Sequence, residues 1–231
     1  MLNIENKWAL VTGASRGVGL RVAKELAKQG CKLIIHSRQL AGTRDLLNEL
    51  TTAGHEVYAV AAELNSISQV EHLITEVKAL SNNHLDILYN NAAIMTKYQP
   101  LFAPTAEEYL HSFMVNSITP AKLCDAFLPG MLTRNWGRIV NVSSGISNQP
   151  ELMAYSCSKA ALERYVRDMM PTLLGTNVLM NLLDPGWLKT DLGGTFAPND
   201  VDSVMPGALI PILLEKEQGS GILFCAQDYV G

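Results

Sequence analysis

The sequence carries no excess of basic residues: Lys and Arg number 18 against 22 Asp and Glu, for a formal net charge of −4. A nucleic-acid partner requires a basic face to neutralise phosphates, so none is expected. No apolar run approaches the ~18 residues of a membrane-spanning helix. The longest candidates, such as residues 208–214, are short and contain a proline, so no membrane partner is expected either. Cysteine is sparse. Cys31, Cys124, Cys157 and Cys225 form no C-x-x-C pair, and no histidine stands at metal-ligand spacing from them. Neither a zinc site nor a disulfide framework is expected, and the thiols read as reduced cytosolic ones. The five histidines are scattered, which gives no metal cluster. Residues 1–7 are polar and include Glu5, so they do not read as a secretory signal and a cytoplasmic location is expected.

The chain contains 48% apolar and 17% charged residues, a globular balance that excludes disorder. Short apolar runs alternate with longer amphipathic segments. Strands are expected at 9–11, 33–35, 57–61, 85–89, 139–142, 178–183 and 222–225. Helices are expected at 19–29, 43–53, 70–80, 106–128 and 154–174, with Gly30 and Gly54 as stops for the first two. Pro171 is an awkward neighbour for the last of these. Residues 186–202 read as a loop, and 204–215 as a helix broken by Pro206 and Pro211. Strand–helix alternation with fully apolar strands predicts an α/β, doubly wound parallel sheet of about seven strands with helices on both faces. No repeat or linker interrupts it, so residues 1–231 form one domain. Ligands of such sheets bind beyond the carboxyl ends of the strands.

The residues that follow the strands bear this out. Thr12-Gly13-Ala14-Ser15-Arg16-Gly17-Val18-Gly19 follows the first strand and opens a helix. Glycines there allow a tight turn and close approach of a pyrophosphate, which the helix N-terminus attracts. The spacing is G-x-x-x-G-x-G. The second strand ends Ile35-His36-Ser37-Arg38. A carboxylate at this point would grip the ribose 2′-hydroxyl of NAD; here Ser37 and Arg38 stand instead, with Arg16 in the glycine loop. Two arginines suit a 2′-phosphate, so NADP(H) is expected in preference to NAD(H).

Tyr155 and Lys159 lie four apart at a helix start and share a face. A lysine ammonium beside a phenol favours the phenolate, and the pair is expected to lower the phenol pKa towards neutrality. Ser143 and Ser144 end the fifth strand, where either hydroxyl can donate to a substrate carbonyl oxygen. Asn90-Asn91-Ala92-Ala93 ends the fourth strand, and Asp184-Pro185-Gly186 the sixth. Asn116 falls within the long helix, where an asparagine is expected to disturb the helix ladder and hold water.

These motifs, in this order, resemble the short-chain dehydrogenase/reductase family, of the Tyr-x-x-x-Lys type, nearly end to end. The resemblance implies a Rossmann-type domain and a hydride moving between a nicotinamide and a carbonyl or alcohol carbon. It implies Tyr155 as acid/base, Lys159 as the ribose-binding residue that tunes it, Ser144 as the group that orients the carbonyl, and Asn116 as the support of a water linked to Lys159. It implies cofactor contacts from Gly13, Ser15, Arg16, Gly17, Val18, Gly19, Ser37, Arg38, Glu63, Leu64, Asn91, Ala92, Tyr155, Lys159, Pro185, Gly186 and Thr190. The segment 186–194 is similar to that of small cytosolic NADPH-dependent carbonyl reductases. Ile94, Met95, Ile146 and Trp187 are candidate pocket residues; Trp187 either lines the pocket or packs the loop. Their apolar character suits a small, mostly apolar aldehyde or ketone.

Three positions depart from the family pattern. Ala93 stands where the signature has glycine and is tolerable if its φ is negative. Glu63 replaces the usual aspartate after the third strand, so the Leu64 backbone is the preferred contact there. The interval to Tyr155 is 11 residues from Ser144 and 12 from Ser143, which leaves either serine open, with Ser144 favoured by its spacing from Asn116. Two other functions compete: a 3-oxoacyl thioester reductase, and a non-catalytic NADP sensor or scaffold. By resemblance the long helices 106–128 and 154–174 pair across subunits, so a homodimer or homotetramer is expected.

Overall fold

Strand β1 (Trp8–Val11) lies within a sheet packed on both faces, and its side chains alternate between two cores. Ala9 and Val11 face one, Leu10 the other. A computed structural model describes residues 2–96, 98 and 100–230 of the chain. Six more strands follow: β2 (Lys32–Ser37), β3 (Val57–Ala61), β4 (Ile87–Asn90), β5 (Gly137–Val142), β6 (Val178–Asp184) and β7 (Leu223–Cys225). All pairings are parallel, in the order β3-β2-β1-β4-β5-β6-β7. The order reverses between β1 and β4, so the loops after these strands diverge there and leave a crevice at their carboxyl ends.

Helix α1 (Gly17–Lys28) buries Val22, Ala23, Leu26 and Ala27 against the first face, joined by Leu46 and Leu50 of α2 (Arg44–Thr52) and by Val204, Ala208, Leu209 and Ile212. The second face is covered by Val70, Leu73 and Val77 of α3 (Ile67–Leu80), by α5 (Thr119–Arg134) and by α6 (Met153–Leu173). Each fully buried Leu or Ile, such as Leu10 or Ile34, contributes about 1.5–3 kcal/mol.

The expected fold class and strand set are present, with two corrections to the elements. The helix expected over 106–128 is α4 (Ala106–Phe113), a π-helical turn (Met114–Ile118) and then α5, which runs on to Arg134. Pro120 explains the break: it lies four residues after Asn116 and has no N–H for the Asn116 carbonyl, so the α register cannot continue. The helix expected over 204–215 is absent. Short 3-10 turns, Val201–Val204 and Gly207–Leu209, take its place, because Pro206 and Pro211 remove two donors from so short a segment. Pro171 sits in the last turn of α6 and does not end it.

Candidate active site

The loop after β1 is held open by its neighbours on both sides. Gly13 has φ +67°, and a Cβ there would stand 2.9 Å from the Ala92 Cα. Asn91 Nδ2 donates to the Thr12 and Gly13 carbonyls (2.9 and 3.1 Å), while Thr12 Oγ1 accepts from the Asn91 and Ala92 amides. Thr12 and Asn91 thus tie β1 to β4 across the crevice. Ala93 keeps a negative φ, which disposes of the departure noted at that position. On the other side, the Gly13 amide donates to His36 Nδ1 (3.3 Å), and His36 Nε2 donates to the Ala62 carbonyl (3.0 Å). Burial holds this imidazole below its ordinary pKa, so it stays neutral with its proton on Nε2.

The N-terminus of α1 has no side-chain cap, so its first amides point into the crevice without an intrahelical partner. Gly17, at φ +58°, has open space until Thr190 Cγ2, 3.7 Å from a Cβ built on it. Ser15 and Val18 are half-buried beside it. Gly42 brings Ser15 and Ser37 together: a Cβ on it would meet both. Ser37 is buried and donates to the Gln39 carbonyl at 2.7 Å, which shapes the turn that exposes Arg38. Arg16 pairs with Asp191 across the mouth at 2.9 Å. At the end of β3, Leu64 is buried, and Glu63 bonds within its own turn through Oε1 and the Asn65 amide. The uncapped helix end, the glycine-rich loop and the basic flank together fit the pyrophosphate and phosphates of a dinucleotide.

Asn116 is fully buried in the π turn. Its Oδ1 accepts from the Ile94 amide, and its Nδ2 donates to the Ile94 carbonyl and to Ser158 Oγ, all at 2.9 Å. Ser117 Oγ donates to the Ser158 carbonyl (2.6 Å), and Ser158 Oγ to the Tyr155 carbonyl (2.7 Å). The turn therefore clasps the loop after β4 on one side and the start of α6 on the other.

Tyr155 and Lys159 lie on the buried face of α6, at the carboxyl edge of β5. The Tyr155 phenol is pushed up by burial; a hydrogen bond with Ser144 opposes this, and the charge of Asp184 adds to it. Lys159 Nζ donates to the Val142 carbonyl at 2.7 Å and lies 5.8 Å from the Tyr155 ring centre. Burial pushes the lysine down to about 8. The expected lowering of the phenol is thus not met in this structure: the ammonium is directed at Val142, and desolvation outweighs its field. The two serines separate clearly. Ser143 is buried and donates to Glu163 Oε1 at 2.6 Å, while Ser144 stands beside Tyr155 and accepts from the Ile146 amide.

Ile94, Met95 and Ile146 are half-buried; Ile94 is held by Asn116, and the Ile146 amide donates to Ser144 Oγ. Trp187 is 56% exposed and donates from Nε1 to the Gly193 carbonyl (2.7 Å); of the two readings offered for it, packing of its own loop describes this contact. Thr190 Oγ1 accepts from the Gly193 amide, and Pro185 and Gly186 lead from β6 into the same loop. Thr12 and His36 were missed as loop-holding residues. The signal was available: His36 is a polar residue set directly at the end of a wholly apolar strand.

Residues 7–200 match the short chain dehydrogenase family. The chain is 32% identical over 212 residues to the 3-oxoacyl-[acyl-carrier-protein] reductase FabG of Vibrio cholerae, covering 91% of this chain and 84% of that protein. Among solved structures it superposes on a metagenomic short-chain oxidoreductase in complex with NADP, with TM-score 0.80, 27% identity, and 97% and 99% of the two chains covered. It also superposes on the NADPH-bound carbonyl reductase from chicken fatty liver, with TM-score 0.84, 25% identity, and 98% and 99% covered. The chain belongs to the short-chain dehydrogenase/reductase family. It is an oxidoreductase of the carbonyl/alcohol class that works with a nicotinamide cofactor.

Proposed function

We propose that the protein reduces a small, mostly apolar aldehyde or ketone with NADPH, used in preference to NADH. The observation that carries this reading is the convergence of Ser144, Tyr155 and Lys159 at the carboxyl ends of β5 and β6, beside an uncapped helix N-terminus and a glycine loop. NADPH, when bound, would supply hydride-transfer chemistry at the carbonyl carbon. Tyr155, held protonated by burial, gives its proton to the carbonyl oxygen, so the substrate leaves as an alcohol. Ser144 donates a hydrogen bond to the same oxygen and orients it. Lys159 holds the nicotinamide ribose and supplies positive charge behind Tyr155. Asn116 fixes the Ile94 loop that walls the pocket, and the π turn supports the water linked to Lys159.

Gly13, Ser15, Gly17, Val18 and Gly19 receive the phosphates, with Thr190, Pro185 and Gly186 closing over the nicotinamide end. Glu63, Leu64, Asn91 and Ala92 line the adenosine side. Arg38 is exposed and makes no ion pair among the described residues, so it is available to a 2′-phosphate; Arg16 would join it by giving up its ion pair with Asp191. The four free cysteines accord with a cytoplasmic protein, and pairing through α4–α5 and α6 would give a homodimer or homotetramer.

A second reading, 3-oxoacyl thioester reduction, is favoured by the likeness to the Vibrio cholerae enzyme. Titration with NADPH and NADH, followed by a panel of aldehydes, ketones, quinones and acetoacetyl thioesters, tests both. Tight NADPH binding with turnover of aldehydes or ketones supports the first. Turnover of thioesters alone replaces it with the second, and binding without turnover on any carbonyl overturns both in favour of a sensor.

A further inference from the structure

Asp184, the last residue of β6, places a carboxylate at the heart of this site, and nothing in the reduction mechanism above uses it. Its Oδ1 accepts from the Gly186 amide at 2.9 Å, which fixes the side chain at the entrance to the 186–194 loop. Its Oδ2 then points across to β5. It lies 2.5 Å from the place a Cβ would take on Gly145, the residue directly after Ser144. No donor and no cation among the described residues reaches Oδ2. The side chain is half-buried, so the oxygen is neither fully hydrated nor satisfied by the protein. Gly145 is what leaves room for it, and its negative charge is felt at the Tyr155 phenol. An acceptor-only group is thus held against Gly145, next in the chain to Ser144, and close enough to act electrostatically on Tyr155.

We propose that Asp184 is a specificity-determining residue whose Oδ2 accepts a hydrogen bond from a donor on the carbon next to the reacting carbonyl. The preferred substrates are then hydroxy ketones or hydroxy aldehydes, and 2-oxo carboxylates are rejected because their anionic group would face a carboxylate with no intervening cation. This rests on the reductase reading given above and narrows it. A hydroxyl that satisfies a partly desolvated carboxylate discriminates strongly against its apolar isostere, since the isostere leaves the charge without a partner.

Three ketones differing only beside the carbonyl provide the test: 2-hydroxyacetophenone, propiophenone and phenylglyoxylate, with NADPH, in the wild type and in Asp184→Asn. The asparagine keeps the acceptor for the Gly186 amide and replaces Oδ2 with an NH2 donor. In the wild type, kcat/KM for the hydroxy ketone should exceed that for propiophenone about tenfold or more, with phenylglyoxylate the poorest. In Asp184→Asn the hydroxy-to-apolar ratio should fall about tenfold, and the ratio of phenylglyoxylate to propiophenone should rise. A wild type without the hydroxy preference overturns the proposal by itself, whether or not the variant folds. So does an Asp184→Asn variant that binds NADPH and keeps both wild-type ratios. A wild type that reduces other carbonyls but none of these three overturns the role of Asp184 and leaves the reductase reading intact. One that binds NADPH and reduces no carbonyl overturns both.

Discussion

Replacing Asn116 with alanine should destabilise the protein and loosen one wall of its site together. The side chain makes three hydrogen bonds, two to the Ile94 backbone and one to Ser158 Oγ, all at 2.9 Å and from a fully buried position. A net ~0.5–1.5 kcal/mol each gives about 1.5–4.5 kcal/mol for the set. Ile94 is half-buried, so water can rescue its freed amide and carbonyl in part, which places the expected loss at about 2–3 kcal/mol. For a chain of this size that corresponds to a fall in Tm of about 4–12 °C. Urea denaturation gives the free energy, and hydrogen exchange locates it: the Ile94 amide should exchange faster, whereas amides in β2 should follow only the global change. Asn116→Asp keeps an acceptor for the Ile94 amide but loses both donors and sets a carboxylate oxygen against the Ile94 carbonyl in a fully buried site, so it should cost at least as much as alanine. A loss below about 0.5 kcal/mol, or a larger loss with Ile94 exchange unaltered, would refute the idea that this side chain holds the loop.

Tyr155→Phe removes the proton donor and only one of many expected cofactor contacts, so turnover should fall ~10²–10⁴-fold while NADPH affinity, read by fluorescence titration, stays near wild type; retained turnover would sink the assignment. Arg38→Asp should shift the ratio of kcat/KM values from NADPH towards NADH, and an unchanged ratio would show that Arg38 does not read the phosphate. Lys159 has its pKa pushed from 10.5 to about 8. Between those values the unfolded chain holds a proton that the folded chain has released, so this group makes stability rise with pH across that window. The stability of the wild type relative to Lys159→Met should therefore increase from pH 8 to pH 10.5 in urea titrations; a flat difference would contradict burial of the ammonium. Gly19→Ala places a methyl group against the Gly13 carbonyl and Asn91 Nδ2. It should cost about 1–3 kcal/mol by overpacking and weaken NADPH binding, and an unshifted melting curve would show that the loop yields freely.

The strands were legible because each is short, built around a run of apolar residues and bounded by glycine or polar residues. Buried parallel strands require this, since both faces lie in a core. Alternation with amphipathic helices then left the doubly wound sheet as the consistent arrangement. The carboxyl-end rule directed attention to the residues after β1, β4, β5 and β6, where the candidate site lies. Over 204–215 the sequence shows a helix broken at Pro206 and Pro211; the structure goes further and leaves only short 3-10 turns that pack their apolar side chains inward. The π turn was half visible: an asparagine in a long helix was noted, but the contribution of Pro120 was not.

The sequence by itself determined the strand order along the chain, the glycine turn, and the residue types that carry a dinucleotide and a proton, because these depend on local backbone freedom, periodicity and side-chain chemistry. Tertiary structure alone gave Ser143 and Ser144 different surroundings, since one hydroxyl turns to Glu163 on α6 and the other to Tyr155. It alone turned Lys159 to the Val142 carbonyl and reversed the expected shift of the phenol, because desolvation depends on everything packed around a group. It alone brought Asp184 against Gly145 and Tyr155. Such contacts join residues 11 to 39 positions apart on different elements, and no local pattern in the chain encodes where they meet.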